Sequence, residues 1–439
     1  MRVIDWAGGL FLWIEDGIQK GEGVIMKKKI LWSIVIILAI LVAAAGWELY
    51  CIYRDFTSPW GTEQDRFLIE IEEGKNATQI AHLLHEKGIV PNVQVFLIMA
   101  DLRGITAKLQ AGEYEFKGTQ SPYEVLDILA TGQKYLHALT IPEGFTQLQI
   151  AQRCDEMKIC PKEDFLQFAQ NNPVFRFVVA QAPGGANAAS EGALFPDTYY
   201  LQKNTPPIKI FERFSRRFSA VINELFDTAV EKQKERGAPW WWQDDNLIED
   251  RQIHQVVVMA SIVEKEAKRP EDRPLVASVI VNRLKKEMPL QMDSTIHYIL
   301  NDWSRPLTAE DKAIESPYNT YKHKGLPPAA ICNPGRAALE AAFMPPDTTY
   351  LYFISLPTGE TKFFATLEDH VKMKNDLKQA RLDAQAAQQT ADQPAAAELP
   401  AEAQPEAAAA RAVSEEAAPA MPESAAPGVT QPVESVTNP

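Results

Sequence analysis

The sequence predicts an α+β protein. A single membrane helix comes first, then a small module of mixed strands and short helices, then a larger α+β region built round a buried helix. Three observations carry the prediction. Residues Ile30–Trp47 form an uncharged apolar run. Two stretches repeat at a fixed offset of 70 residues, from Ile71 to Ile141. Ile253–Lys268, IHQVVVMASIVEKEAK, reads as an almost unbroken apolar helix that ends in two carboxylates. At 439 residues the chain has room for two domains and appendages.

Composition narrows the function. With 46% hydrophobic and 23% charged residues the chain is of globular type. A net charge of −14 opposes nucleic-acid binding, which needs a basic face. Part of that charge lies in the C-terminal tail. The four cysteines form no CxxC pair, and the seven histidines are scattered with no HExxH, so neither a metal nor another cofactor is expected.

The run Ile30–Trp47 has eighteen residues, the lower range for a bilayer core of about 30 Å. Lys27, Lys28 and Lys29 precede it, which holds the N-terminus in the cytoplasm and places everything after about Tyr50 outside. A cleaved signal peptide is the competing reading. The length of the run and the poor cleavage site Gly46-Trp47-Glu48 oppose it. Residues 26–50 are therefore read as the anchor. Residues 1–25 are read as an extension or a misassigned start, since Met26-Lys-Lys-Lys resembles a natural beginning.

The repeat pairs Ile71–Ala81 with Ile141–Ala151 and continues through Glu86 and Glu156, Ile89 and Ile159, and Pro91 and Pro161. Each copy reads as a strand, a Glu-Gly turn and an amphipathic helix. Between the copies, Gly112–Phe116 alternates like a strand. Ser121 and Pro122 then open a helix as N-cap and first residue. Cys154 and Cys160 replace Leu84 and Val90 of the first copy. They are open to two readings, a disulfide outside the cytoplasm or two buried thiols.

Glu191–Leu201 reads as a loop punctuated by Gly192 and Pro196. Its rings Phe195, Tyr199 and Tyr200 beside Asp197 suit a carbohydrate; a packed core loop is the alternative. Residues 206–233 form an amphipathic helix with Phe211, Phe214, Phe218 and Leu225 inward. Trp240–Trp242 then serve as core cover rather than as an interface or membrane contact.

The helix at 253–268 is apolar on most faces and so belongs in a core. A glutamate there loses solvation, its pKa rises, and it can donate a proton near neutral pH. Glu266 has Val263, Ile262 and Met259 at the preceding helical offsets and shares the apolar stripe. Glu264 has Ser261, Ala260 and Val257, a less uniform set. The bland alternative is two helix-end charges facing water with Lys265 and Lys268.

A second amphipathic helix follows at Leu275–Leu284, then an extended segment Leu290–Ile296. Proline-rich turns around Ser316–Tyr321, Gly325–Pro328 and Asn333–Gly335 frame what reads as a cleft wall. The strand Tyr350–Ile354 and a turn at Gly359 lead to Lys362–Phe364. Beyond about Leu377 the chain is too poor in large apolar residues to fold, so residues 379–439 are read as a disordered acidic Ala/Pro-rich tail.

The motifs ASIVEKE, VASVIVNRL, LQMDSTI, SPYNTY and GLPPAAICNPG occur in that order before the YLYF strand. With EGALFPDTYYL and the IPEG turn, they resemble the endolytic murein transglycosylase family of YceG-like, MltG-type proteins, from the membrane helix to about residue 377. The resemblance implies a LysM-like module over residues 65–137 and a YceG-like catalytic domain over 138–378. It implies a single-pass protein of the bacterial inner membrane with its catalytic domain in the periplasm. The implied substrate is the nascent peptidoglycan glycan strand, cut at the MurNAc–GlcNAc bond to leave 1,6-anhydro-MurNAc ends, with peptidoglycan synthases as candidate partners.

The second glutamate of EKE, Glu266, is then the implied catalytic acid/base, which agrees with the stripe argument. Most glycosidases need two carboxylates; a lytic enzyme uses the C6 hydroxyl of the same sugar and needs no second one to hold water. Matching positions imply Asn319 and Gln291 as donors to sugar or acetamide oxygens. Tyr318, Tyr321, Tyr199 and Phe195 are implied stacking surfaces. Asp293 and Glu264 are candidate supporting carboxylates, and Asp197 is expected to brace its own loop. Many similar proteins have proline after the aspartate of LQxD; Ser294 stands here and is expected to loosen that loop.

Two rival readings remain. A non-catalytic, membrane-anchored peptidoglycan-binding scaffold would keep the module and lose the acid. An enzyme of small cytosolic metabolites conflicts with the membrane span and the lysine-set orientation, and the chain has no phosphate-cradling glycine loop.

Overall fold

The computed structural model describes residues 23–172, 174, 190–244, 249–356 and 358–391. Most of the stretch read as an N-terminal extension lies outside them. The apolar run is part of one long helix, α1 (Gly23–Thr57). The span Lys27–Thr57 is long and apolar enough to cross a bilayer, and none of its most apolar window is buried in protein. Its last turn behaves differently, because Phe56 is buried in the core of the module that follows.

The 70-residue repeat is also a repeat in space. Strand β1 (Arg66–Ile71) leads through Gly74, at φ +86°, into α2 (Ala77–Glu86) and α3 (Val93–Leu102). Strand β2 (Gly112–Lys117) returns antiparallel to β1, with Arg66 opposite Lys117. Helix α4 (Pro122–Thr131) closes the unit from its Ser121 N-cap. The second copy runs β3 (His137–Thr140), Gly144 at φ +80°, α5 (Gln147–Glu156) and α6 (Lys162–Asn171). Strand β4 (Thr198–Leu201) then pairs antiparallel with β3.

The match extends to single hydrogen bonds. In the first copy Asn76 Oδ1 accepts from the Gln79 N–H at 2.9 Å, and Gln79 Oε1 accepts from the Asn76 N–H at 3.0 Å. Thr146 and Gln149 make the same reciprocal cap at 3.2 and 2.9 Å. Such a box satisfies two of the donors that a helix start leaves orphaned. After each helix a residue turns left-handed, Gly88 at φ +74° and Lys158 at φ +55°. The Ile89 N–H then bonds Leu84 O at 3.0 Å, and Ile159 bonds Cys154 O at 2.8 Å. Cys154 thus fills the core place of Leu84. Cys154 and Cys160 are both free and buried, and burial pushes their thiols up to about 12 and about 11.

One carboxylate ties the copies together. Glu113 of β2 is buried; His137 Nε2 of β3 bonds its Oε2, and Lys203 Nζ donates to its Oε1 at 2.8 Å. The Tyr135 N–H also bonds Glu113 O at 2.6 Å.

The remaining elements are mostly helical. Helix α7 (Pro207–Arg236) buries Phe211, Phe214, Phe218 and Leu225 along one face. Trp240 and Trp242 are buried, and the three indole N–H groups of Trp240–Trp242 donate to Ala229, Ala342 and Phe343 carbonyls. They are core cover. Helix α8 (Glu249–Glu266) packs against α9 (Arg273–Lys285), α10 (Asp293–Leu300) and α12 (Arg336–Phe343), with the short α11 (Ala309–Lys312) in the connecting loops.

The segment expected to be extended at Leu290–Ile296 turns helical at Asp293. An acid in the first turn suits a helix N-terminus, and Ile296 reaches the core only at helical spacing. A hairpin of β5 (Tyr352–Ser355) and β6 (Thr361–Phe364) turns at Gly359, φ +85°. Helix α13 (Leu367–Ala391) begins beyond it. Residues 377–391 continue that helix where the sequence reads as tail; alanine, glutamine and lysine carry it by propensity.

Candidate active site

Helix α8 delivers two glutamates to its last turn. All residues from Val256 to Val263 are buried, which is why this turn comes out of the core at a fixed place. The two carboxylates then part ways. Glu264 turns inward, its side chain 7% exposed. Its Oε1 accepts from Arg273 Nη2 at 2.9 Å and its Oε2 from the Gly335 N–H at 3.0 Å. It ties α8 to α9 and to the start of α12. Burial pushes its carboxyl up, and the Arg273 charge opposes that shift. Lys265 covers the Trp303 ring at 4.0 Å.

Glu266 faces a cleft of about 450 Å³ that is also lined by Arg283, Gln291, Asp293, Lys312 and Tyr321. Its Oε1 accepts from the Ser294 N–H at 3.1 Å. Burial pushes the Glu266 carboxyl above its ordinary range and the Asp293 charge adds to that, while hydrogen bonding from Ser294 pulls it down. A carboxyl so held can give up a proton near neutral pH to a group in the cleft.

Ser294 is not the loosening the sequence led us to expect. It is buried in the first turn of α10, where a helix has no internal partner for its N–H. That orphan donor finds Glu266. Beside it, Asp293 Oδ1 accepts from Lys312 Nζ at 2.8 Å and from the Tyr321 hydroxyl, and Lys312 Nζ lies 2.9 Å from that hydroxyl.

Three of the seven implied site residues, Glu266, Gln291 and Tyr321, share the cleft. Gln291 holds a left-handed turn at φ +54°, with its N–H on Thr320 O at 3.0 Å. Asn319 is fully buried instead. Its Nδ2 donates to Lys312 O and Ile314 O at 3.0 and 2.7 Å, and its Oδ1 accepts from the Tyr321 N–H at 2.9 Å. It shapes the wall that carries Lys312 and Tyr321 and has no donor left for a sugar.

Tyr318 is buried against Tyr298, ring centroids 5.2 Å apart, and offers no stacking face. Tyr199 and Phe195 are buried as well. The Tyr199 hydroxyl donates to Phe195 O at 2.6 Å and its ring meets Phe214 edge-on. Residues 191–197 form a loop, and Thr198–Leu201 form β4, which closes the second repeat; the buried Phe195 and Tyr199 fit the alternative, a packed core loop. Asp197 does brace it, accepting from the Thr198 N–H at 2.8 Å and from Arg217 Nε at 2.6 Å.

Sequence reasoning missed two groups. Arg283 is a buried guanidinium that donates to Leu351 O, Pro289 O and Leu290 O, fixing the floor of the cleft. A charge inside the apolar stretch VASVIVNRL was the available signal. Glu191 is buried where several loops meet. Its Oε1 accepts from the Gln147 N–H and Asn333 Nδ2 at 2.8 and 3.0 Å, and its Oε2 from the Tyr298 hydroxyl at 3.3 Å. Burial pushes its carboxyl up to about 8.

The site and the repeat sit in a stretch that a known family shares. The profile of the YceG-like family matches residues 69–376. The chain belongs to that family. It is 31% identical over 317 residues to an endolytic murein transglycosylase of Bacillus subtilis (strain 168), an alignment that takes in 70% of this chain and 83% of that protein. It is 30% identical over 366 residues to an endolytic murein transglycosylase of Streptococcus pneumoniae serotype 2 (strain D39), covering 77% of this chain and 63% of that one. The chain thus spans less than two thirds of the pneumococcal relative. A crystal structure of a YceG-like protein of Listeria monocytogenes aligns at 30% identity and TM-score 0.45, over 70% of this chain and 99% of that one.

Proposed function

We propose that the chain is a membrane-anchored endolytic murein transglycosylase with Glu266 as its acid/base. The observation that carries the reading is the Glu266 carboxyl, raised by burial and facing the cleft from the end of a buried helix. Its relatives' names supply the substrate, a peptidoglycan glycan strand. Protonated Glu266 gives its proton to the glycosidic oxygen between MurNAc and GlcNAc as the C1–O bond breaks. An oxocarbenium-like centre develops at C1. The C6 hydroxyl of the same muramic acid attacks C1, and Glu266 takes that hydroxyl's proton. The product is a 1,6-anhydro-MurNAc end, no water is consumed, and the carboxyl is restored. Each proton transfer of this kind contributes roughly 10²- to 10⁴-fold.

An intramolecular nucleophile also suits the fate of the other carboxylates. Glu264 is engaged by Arg273, and Asp293 by Lys312 and Tyr321. Gln291 is the cleft amide left to hold the sugar, since the Tyr321 hydroxyl already donates to Asp293. On this reading the first βααβ unit is taken as the LysM-like module over residues 65–137 and the remainder to 378 as the catalytic domain. With Lys27–Lys29 on the cytoplasmic side of α1, the cleft lies in the periplasm of an inner-membrane protein, where peptidoglycan synthases are its candidate partners.

The test is digestion of purified glycan strands by wild type and Glu266→Gln, with mass spectrometry of the ends. Anhydro-muramic ends from wild type alone are expected. Reducing ends would make water the nucleophile and reopen the search for a second carboxylate. Equal inactivity of both proteins in a membrane-reconstituted assay would favour a glycan-binding scaffold.

A further inference from the structure

Helix α3 breaks the rule its neighbours obey. Of its ten residues, VQVFLIMADL, only Gln94 and Asp101 are polar. Phe96 and Ala100 are buried in the core and Val93, Val95, Leu97 and Met99 pack partly buried against it, which leaves Ile98 and Leu102 as the bare apolar side chains of the helix. Ile98 is 58% and Leu102 76% exposed, so Leu102 is barer than any large apolar side chain of the bilayer-length run, where Trp47 reaches 67%. A helix apolar all round belongs in a core or in lipid. At about 1.5 Å per residue it reaches roughly 15 Å, half of what a span needs.

Its position says which surface covers it. The last turn of α1 enters the core that α3 lines, with Phe56 in one cluster with Phe96 and Ala100. Phe56 meets Tyr123 edge-on, ring centroids 6.2 Å apart. Arg103, the residue after Leu102, lies over the same Tyr123 ring, 4.3 Å from its centroid. Leu102 is therefore carried beside the point where α1 meets the module.

Nine helical steps lead from Trp47 to Phe56, roughly 13 Å of rise. The eighteen-residue run falls slightly short of a bilayer core, which brings the bilayer edge a residue or two beyond Trp47. The headgroup layer adds about 5–8 Å. The exposed Leu49, Tyr50, Ile52 and Tyr53 continue the apolar surface along α1 toward the module.

We infer that α3 is a second membrane contact: Ile98 and Leu102 insert into the interface of the leaflet from which α1 emerges. Amphipathic helices at such interfaces bury their apolar side about 5–10 Å into the headgroup–acyl boundary. The first βααβ unit then lies on the bilayer instead of standing off it. The inference rests on α1 being a membrane span.

The full chain in phosphatidylcholine liposomes tests it. Cys154, Cys160 and Cys332 are buried, so a Cys51→Ser background leaves a single nitroxide at Leu102→Cys, at Ile98→Cys, or at the exposed Lys286→Cys as reference. Collision rates with oxygen, which partitions into lipid, are compared with those of a water-soluble nickel chelate. The inference expects oxygen to win at positions 98 and 102 and nickel to win at 286. Leu102→Cys labels as open to nickel as the 286 label, in protein that floats with the liposomes, would overturn it. So would a label shielded from both reagents, which marks a protein partner or a second copy. Protein that does not float removes the span and this inference with it.

Discussion

The backbone N–H of Ser294 donates to Glu266 Oε1 at 3.1 Å, so the start of α10 steadies the carboxylate at the end of α8. The bond favours the charged form and works against the burial that favours the neutral one.

Ser294→Pro removes that bond together with the hydroxyl, because proline has no N–H and the first turn of a helix needs none internally. Without the donor Glu266 keeps its proton to higher pH. An acid catalyst loses activity as pH rises through its pKa, so the alkaline limb of kcat/KM moves to higher pH. Ser294→Ala keeps the N–H but loses the hydroxyl, which also favours the charged form of Glu266, so its limb should rise by less than that of Ser294→Pro, which loses both. Identical limbs in the two variants would show that the backbone bond does not set the titration.

Asp293→Asn moves the same limb the other way. Its charge adds to the upward shift at Glu266, so removing it lets Glu266 ionise earlier and the limb falls to lower pH. Tyr321 and Lys312 lose their ionised acceptor as well. A loss of roughly tenfold in kcat/KM at pH 7, about 1.4 kcal/mol, is expected. A limb that stays in place would place Asp293 outside Glu266's electrostatic reach.

Glu264→Gln should damage stability and spare the chemistry. It removes the ion pair with Arg273, which retains Glu143 at 3.3 Å. The cost is about 2 kcal/mol, as for a buried hydrogen bond to a charged group. Thermal unfolding should begin several degrees lower, while anhydro ends still form at most of the wild-type rate per folded molecule. Loss of cleavage without loss of stability would instead make Glu264 a working carboxylate.

Glu191 gives the fold a pH dependence of its own. Burial pushes its carboxyl up to about 8 in the folded chain, against about 4.3 for a free glutamate. Between those values the folded chain binds a proton that the unfolded chain has released. Its contribution to stability is therefore full below about pH 4.3 and is lost as pH rises toward 8, at up to about 1.4 kcal/mol per unit. Glu191→Gln mimics the neutral form. Its unfolding midpoint should exceed wild type at pH 8 and converge with it near pH 5; parallel curves would mean that the carboxyl titrates normally.

The place of Glu266 at the end of a buried helix was legible because helical spacing sets it in line with Val263, Ile262 and Met259. The repeat was legible for a similar reason, since caps and turn glycines are local. What the sequence hid was long-range. The partner of Tyr199 in β4 is Leu139 in β3, far back in the chain, and a ring-rich strand that closes a core looks like a ring-rich loop that meets a sugar. Asn319 has the donors a ligand would want, but residue identity does not say that the Lys312 and Ile314 carbonyls already hold them. Ser294 was misread because a missing proline suggests slack, whereas its N–H gained a partner across the cleft.

The Glu113 clamp has a mechanical consequence. On the proposed function, a glycan strand gripped in the cleft would pull on the chain against α1 in its bilayer, and the load would run through both βααβ units. Its route crosses from one copy to the other at β2 and β3, where Glu113 holds His137 and Lys203 with separate oxygens and Tyr135 with its carbonyl. Bonds sharing a load in parallel resist shear that would straighten a free linker. On the same proposed function, that clamp would hold the distance from bilayer to cleft at a set length.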